Sequence, residues 1–251
     1  MRVLFAGSCC KDPSGDELNE DKWAYCESRG TLALCDGASE SFDSALWARI
    51  LADKFRSVPA VTPEWLADAV ADYVAQHDFN ALSWSGQASY RRGSFSTLLG
   101  ARHDPEQQII EVLAVGDSLA VLVDDTAIVS CWPYSEPERF KQRPTLFATL
   151  TEHNAFVLDG AYWKTRQTRF DLSTLETPRL VCVTDAVGEW LLRQSQSDGD
   201  GLARLLAIST KEELADLLVR ERRAGRVKID DSTLIVVAFD EGKEPNGLPD
   251  L

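Results

Sequence analysis

Residues 31–40 read TLALCDGASE. An apolar run, Leu32 to Cys35, ends abruptly on Asp36 and Gly37, and small polar residues follow. A charge at the edge of a core is costly unless it is paired or holds a cation. The meaning of this stretch depends on whether other strands end the same way, and they do. Asp117 follows EVLAVG, and Asp185 follows RLVCVT. The pair Asp230-Asp231 precedes STLIVVAFD, and Asn19-Glu20-Asp21 precedes the alternating stretch KWAYC. One aspartate at a strand end is an ordinary turn former. Acids at so many strand ends imply a common rim, where carboxylates repel one another and need cations. All-oxygen ligands select Mg²⁺ or Mn²⁺ over zinc. The three histidines, at 77, 103 and 153, have no metal-ligand spacing, which supports the same choice.

The gross composition sets bounds on partners and compartment. The chain has 251 residues, 44% of them hydrophobic, enough for a real core. Its net charge of −14 disfavours nucleic acid and anionic membrane as partners, since both are polyanions. Six cysteines show no C-x-x-C pair and no zinc spacing, so free thiols in a reducing cytoplasm are expected. The N-terminal apolar run is too short for a secretion signal, and no stretch approaches ~20 apolar residues.

Outward from residue 31, the period of the apolar residues changes. RVLFAGS, KWAYCES and TLALCD read as three strands. SALWARILADKF places Leu46, Ile50 and Leu51 on one helical face. TPEWLADAVADYVAQHDF begins a second helix, with Thr62 as N-cap, Pro63 at the first position and Glu64 in the first turn. Residues 81–93, ALSWSGQASYRRG, read as a polar loop. Strands return in SFSTLLGARHD, QQIIEVLAVGD, LAVLVDD and TAIVS, and the proline-rich 131–144 is irregular. KTRQTRFDL alternates like an edge strand. RLVCVTDAVGEWLL is a strand then a helix, DGLARLLAIS and KEELADLLVRERRAG are helices, and STLIVVAFD is the closing strand. One domain over residues 1–240 and a flexible polar tail over 241–251 are expected.

The ordered motifs NED (19–21), LALCDGASES (32–41), FSTLLGA (95–101), VLAVGDS (112–118), LVCVTDAVGEW (180–190) and DDSTLIVV (230–237) carry a resemblance. In order and spacing the chain resembles the type 2C, metal-dependent protein serine/threonine phosphatases, most of all the compact bacterial members. The resemblance spans nearly the whole chain. It implies an α+β fold, a four-layer α-β-β-α sandwich of two antiparallel sheets flanked by helices, which agrees with the element order above.

The resemblance also implies roles. Asp36 would bridge two metal ions, and the Gly37 carbonyl would bind one of them, glycine letting the chain turn there. Asp185 and Asp230 would complete the first ion's shell. Glu20 or Asp21 would serve the second. Asp117 with Glu189 would hold a weaker third ion. A water shared by two Mn²⁺ or Mg²⁺ ions would then attack the phosphorus of a phosphoserine or phosphothreonine, with Asp36, Asp185 and Asp230 acting through it. The alternative cysteine-nucleophile loop, C-x5-R, is absent, because no cysteine has an arginine six residues on.

The sequence also departs from the family pattern. Family members commonly carry a phosphate-clamping arginine five residues before the NED aspartate, where this chain has Asp16. Lys11, Lys22, Arg91 and Arg92 are the candidate substitutes. Ala186, Leu119 and Phe95 also replace family residues, while the oxygen ligands are kept. The expected function is a Mg²⁺/Mn²⁺-dependent phosphatase acting on a phosphoprotein. The alternative is a catalytically weak member serving as a phosphoprotein-binding regulatory module, and a third reading takes a small phosphate ester as substrate.

Overall fold

The computed structural model describes residues 1–11 and 19–239, so Asp16 and the tail 241–251 lie outside the described residues. The chain opens with β1 (Arg2–Cys9), β2 (Lys22–Cys26) and β3 (Thr31–Cys35), then α1 (Ser44–Ser57), α2 (Pro63–Val74) and a short α3 (Trp84–Tyr90). Next come β4 (Phe95–Ser96), β5 (Leu98–Asp104), β6 (Ile109–Val115), β7 (Leu119–Asp124), β8 (Ala127–Trp132) and β9 (Phe147–Ala148). α4 (Gly160–Lys164), β10 (Gln167–Asp171) and β11 (Pro178–Val183) follow. The last elements are α5 (Asp185–Gln196), α6 (Gly201–Leu206), α7 (Lys211–Arg223) and β12 (Ser232–Ala238).

Ten strands form two antiparallel sheets, ordered β1-β12-β11-β7-β8 and β10-β6-β5-β3-β2. Side chains alternate between the faces of each strand. In β3, Leu32 and Leu34 meet the other sheet, while Ala33 and Cys35 meet α1. In β11, Leu180 and Cys182 point inward, while Val181 and Val183 pack with α5 and α7. Both faces are buried, which is why these strands read as unbroken apolar runs. Three cores result. One lies between the sheets, one under α1 and α2, and one under α5, α6 and α7. These are the four layers α-β-β-α.

α2 starts as expected, with Thr62 Oγ1 accepting from Trp65 N at 3.1 Å and Pro63 in the first turn. In α1 the buried face is shifted from the predicted one. It runs through Trp47, Ala48, Leu51, Ala52 and Phe55, and Leu46 and Ile50 only flank it. The two aromatic rings decide the rotation. Trp47 donates to the Phe147 carbonyl at 3.0 Å. Phe55 lies so close over Gly100 that a Cβ there would sit 2.3 Å from the ring. Residues 81–93 are not the expected loop throughout. Ser83 caps α3, accepting from Gly86 N at 3.1 Å, a cap the sequence reading passed over among the other serines. Residues 145–164, unassigned from sequence, contain β9, a 3-10 stretch (Thr151–Leu158) and α4.

One buried charge ties the second helical layer together. Glu221 of α7 accepts from Arg226 at 2.6 and 3.0 Å, from Arg204 at 2.6 Å and from Trp190 at 3.2 Å. The Arg226 hydrogen bonds lead in holding its carboxyl down to about 2; burial opposes them and Arg204 reinforces them. A depressed acid contributes stability above its unfolded value, here 4.5, and loses it as pH falls towards the folded value. Glu221→Gln is therefore expected to lower the melting temperature at pH 7 by several degrees, on the order of 1–2 kcal/mol. The gap between variant and parent should close between pH 4.5 and about 2 in thermal melts. A gap that persists at the acid end would contradict this account.

Candidate metal centre

Antiparallel register decides which chain ends meet. Cys9 lies opposite Ser232, and Val183 lies opposite both Leu234 and Leu119. Residues 10–11, 117–118, 184–185 and 230–231 therefore share one end of the first sheet. Lys22 opposite Cys35, and Leu98 opposite Val115, bring residues 21, 36 and 116 to one end of the second. Asp21 joins the two ends. Its Oδ2 accepts from Thr184 Oγ1 at 3.1 Å and from Thr233 Oγ1 at 2.7 Å, across the gap between the sheets.

The aspartates gathered here resist ionisation. Burial pushes Asp21 up to about 7; the Thr233 hydroxyl opposes this, and Asp231 and Asp185 add repulsion. Its Oδ1 is buried with no hydrogen-bond partner among the described residues. Burial pushes Asp36 well above the usual carboxylate range, and Asp21, Asp185, Asp117 and Asp230 each push further. Burial takes Asp117 up to about 7, with Asp185 and Asp230 adding to it and Lys228 opposing. Asp185, the first residue of α5, is raised by burial and by Asp230, against the pull of Lys228 and the Ala186 N–H at 2.6 Å. Gly116 permits the approach that places Asp117. Its φ is +110°, and a Cβ would stand 2.5 Å from Thr97.

Five aspartates, 21, 36, 117, 185 and 230, thus act on one another at one rim, as the sequence reading expected. Among the described residues, no three His, Cys, Asp or Glu side chains stand together closely enough to hold a metal ion as they are placed here. Cations of the chain stand among them. Lys228 Nζ lies 3.1 Å from Asp185 Oδ2 and 2.7 Å from Asp230 Oδ2. Glu20 Oε2 pairs with Lys11 Nζ at 3.1 Å, and its Oε1 accepts from Ser44 Oγ at 2.6 Å. Glu189 turns to Arg193 at 2.5 Å. Gly37 is buried beside Ser96, but not for the reason given by the turn argument. Its φ is outside the left-handed region, and space is what excludes a side chain, since a Cβ would lie 2.9 Å from Ser44.

The candidate phosphate-binding cations are divided. Lys11 is at the rim beside Glu20. Lys22 Nζ donates to the carbonyls of Asn19 and Asp21. Arg91 stacks over Phe79 at 5.1 Å, and Arg92 donates to Ala88 O and Ser89 Oγ, so both serve the α3 region.

Other parts of the site escaped the sequence reading. Asp231, noted there only as one of an acidic pair, accepts from Lys11 N at 2.8 Å and from Glu20 N at 2.6 Å, so it braces the backbone of the rim. Arg222 donates to Cys10 O at 2.9 Å, to Asp230 O and to Ser232 Oγ. Thr184 and Thr233 orient Asp21. The doubled Asp230-Asp231 and the Thr before Asp185 were the available signals. Lys228 and Arg222 had none. A groove of about 830 Å³ between α1 and β10 is no rival, because its one acid, Glu111, is neutralised by Arg102 and Arg169.

The donor set has the chemistry of a site for a hard divalent cation. It consists of oxygens only, one of them buried and unpartnered, on carboxyls whose ionisation costs free energy until positive charge arrives.

No family model and no curated protein matches the chain by sequence. Solved structures do match by shape. The photosystem II phosphatase PBCP superposes with a TM-score of 0.58 at 16% identity, over 94% of this chain and 98% of that one. The Mycobacterium tuberculosis serine/threonine phosphatase PstP/Ppp gives 0.57 at 14%, over 95% and 100%. The catalytic domain of PstP in complex with two manganese ions gives 0.53 at 14%, over 96% and 100%. The chain has the fold of these serine/threonine phosphatases, which is the fold the motif order implied. Among the described residues, no helix is long and apolar enough to cross a membrane.

The raised acids carry a signed prediction for the metal-free protein. A group whose folded pKa exceeds its unfolded value lends stability below the unfolded value and loses it as pH rises to the folded one. With Asp21 and Asp117 moving from 3.8 to about 7, stability in EDTA should fall between about pH 4 and 7. Asp21→Asn keeps the shape and removes one such charge. Its melting temperature in EDTA at pH 8 should exceed the parent's, and the parent's decline with pH should flatten. Equal slopes for the two proteins would show that Asp21 is not raised.

Proposed function

We propose that this chain is a Mn²⁺- or Mg²⁺-dependent phosphatase that hydrolyses phosphoserine and phosphothreonine in a phosphoprotein. The observation that carries the reading is the set of mutually repelling aspartates at one rim of a fold shared with serine/threonine phosphatases. The likeness to PstP holding two manganese ions supports the choice of metal. When bound, such an ion pair supplies positive charge to the phosphoryl oxygens and lowers the pKa of a water.

The chain's own residues divide the remaining work. Asp36 lies under the repulsion of four other aspartates, the position expected of a ligand common to two ions, and the Gly37 carbonyl beside it adds an uncharged donor. Asp185 and Asp230 serve the first ion. Glu20 and Asp21 serve the second, and Thr184 and Thr233 hold Asp21 so that its free Oδ1 stays available. Asp117 is the basis of a third, weaker site, and Glu189 joins it only by leaving Arg193. Lys11 is the one candidate at the rim for the substrate phosphate. Its ammonium offers a point charge where an arginine would offer a fork.

That last point favours a second reading. All four candidate phosphate cations already have partners, Lys11 in Glu20, Lys22 in the carbonyls of Asn19 and Asp21, and Arg91 and Arg92 in the α3 region, as expected of a member with weak turnover. Hydrolysis of an aryl phosphate with Mn²⁺, with Mg²⁺ and with EDTA separates the two. The phosphatase reading expects metal-dependent turnover that drops at least ~100-fold in Asp36→Asn. Mn²⁺ uptake without turnover in the parent protein would transfer the weight to the binding module. Full activity in Asp36→Asn would remove Asp36 from the centre.

A further inference from the structure

Lys228 sits between α7 and β12, and its ammonium stands between Asp185 and Asp230, at 3.1 and 2.7 Å. These are the two carboxylates assigned above to the first ion alone. An ammonium seated between these two oxygens competes with a divalent ion for the same space and the same negative charge. We infer that Lys228 is the resident counter-cation of the Asp185–Asp230 pair, that it must leave for the first ion to bind, and that it thereby sets the metal affinity of the centre. The inference rests on the metal reading of the previous subsection.

The local structure is built for such an exchange. The backbone on both sides of Lys228 is fixed. Val227 is buried in the helical core, and Arg222 grips the Asp230 carbonyl together with Cys10 O. The side chain is not fixed, since 54% of it is exposed. A flexible four-carbon stem lets the ammonium swing into water while the two carboxylates stay in place. The exchange also improves the charge balance. One ammonium answers a single charge of the two carboxylates, whereas a divalent ion brings twice the charge to the same oxygens. Lys228 is thus a positioning residue. It keeps Asp185 and Asp230 together before loading, and it makes loading harder.

The test is calorimetric titration of Mn²⁺ into EDTA-stripped full-length protein, with thermal melts alongside. Lys228→Met should bind Mn²⁺ about tenfold more tightly than the parent, a typical size for coupling between two linked sites. The same variant should melt lower than the parent without metal and recover the difference at saturating Mn²⁺. Lys228→Arg, which keeps the charge at the pair, should bind within about twofold of the parent. Repeating the titration in 0.5 M KCl separates contact from a general field effect, because salt screens distant charges and leaves direct competition. A Lys228→Met gain that vanishes in high salt overturns the inference. So does a folded Lys228→Met that binds no more tightly than the parent. Lys228→Gln serves as the second variant if Lys228→Met does not fold without metal, and the same tightening is required of it. Failure of the underlying metal reading looks different: the parent and Asp185→Asn would then take up Mn²⁺ equally, or not at all.

Discussion

The structure turns on one carboxylate that belongs to both sheets. Asp21 precedes a strand of one sheet, yet its oxygen is held by hydroxyls of the other, Thr233 in β12 and Thr184 just past the end of β11. Those bonds span the open end of the sandwich, where the inter-sheet core stops and no apolar side chain can do the joining. Hydroxyls suit this place because they satisfy a carboxylate without neutralising it. The rim stays negative, and its negativity is available for binding.

Stability and function therefore oppose each other locally. The three apolar cores bring the strand ends together, and the strand ends bring like charges together. The fold accepts that repulsion because the register is fixed: a one-residue slip in β3 or β11 would exchange the side chains that meet the other sheet with those that meet the helices along the whole strand. The cost is concentrated at Asp36, which every neighbouring aspartate opposes. Elsewhere the chain neutralises its buried acids, as at Glu221, with arginines on two sides. The contrast between Glu221 and Asp36 sets the rim apart from the rest of the fold.

Much of this was legible in the sequence, for a physical reason. A strand buried on both faces is an unbroken apolar run, so its polar end is sharply marked, and Asp36, Asp117 and Asp185 all sit at such ends. The helix of residues 63–74 announced itself by Thr62 and Pro63. What escaped was of two kinds. Local signals were diluted, as with Ser83, one of several serines in a stretch that looked like a loop. Long-range partners had no local signal at all. Lys228 meets Asp185 across 43 residues, and Arg222 reaches Cys10 across 212. The turn argument for Gly37 missed its cause, because sequence shows that a glycine is present and not which neighbour requires it. The neighbour is Ser44, at the start of α1.

Asp231 has a consequence for how this molecule can change. Its two oxygens hold the amides of Lys11 and Glu20, so one carboxylate clasps the chain on both sides of residues 12–18. Lengthening a closed loop is cheap, roughly 0.6 kcal/mol for each doubling. Segments of different length and charge can therefore be exchanged between residues 11 and 19 while Glu20 and Asp21 keep their places. The clasp thus makes the placement of Glu20 and Asp21 depend on the far end of the chain, 211 residues on, rather than on the sequence that directly precedes them.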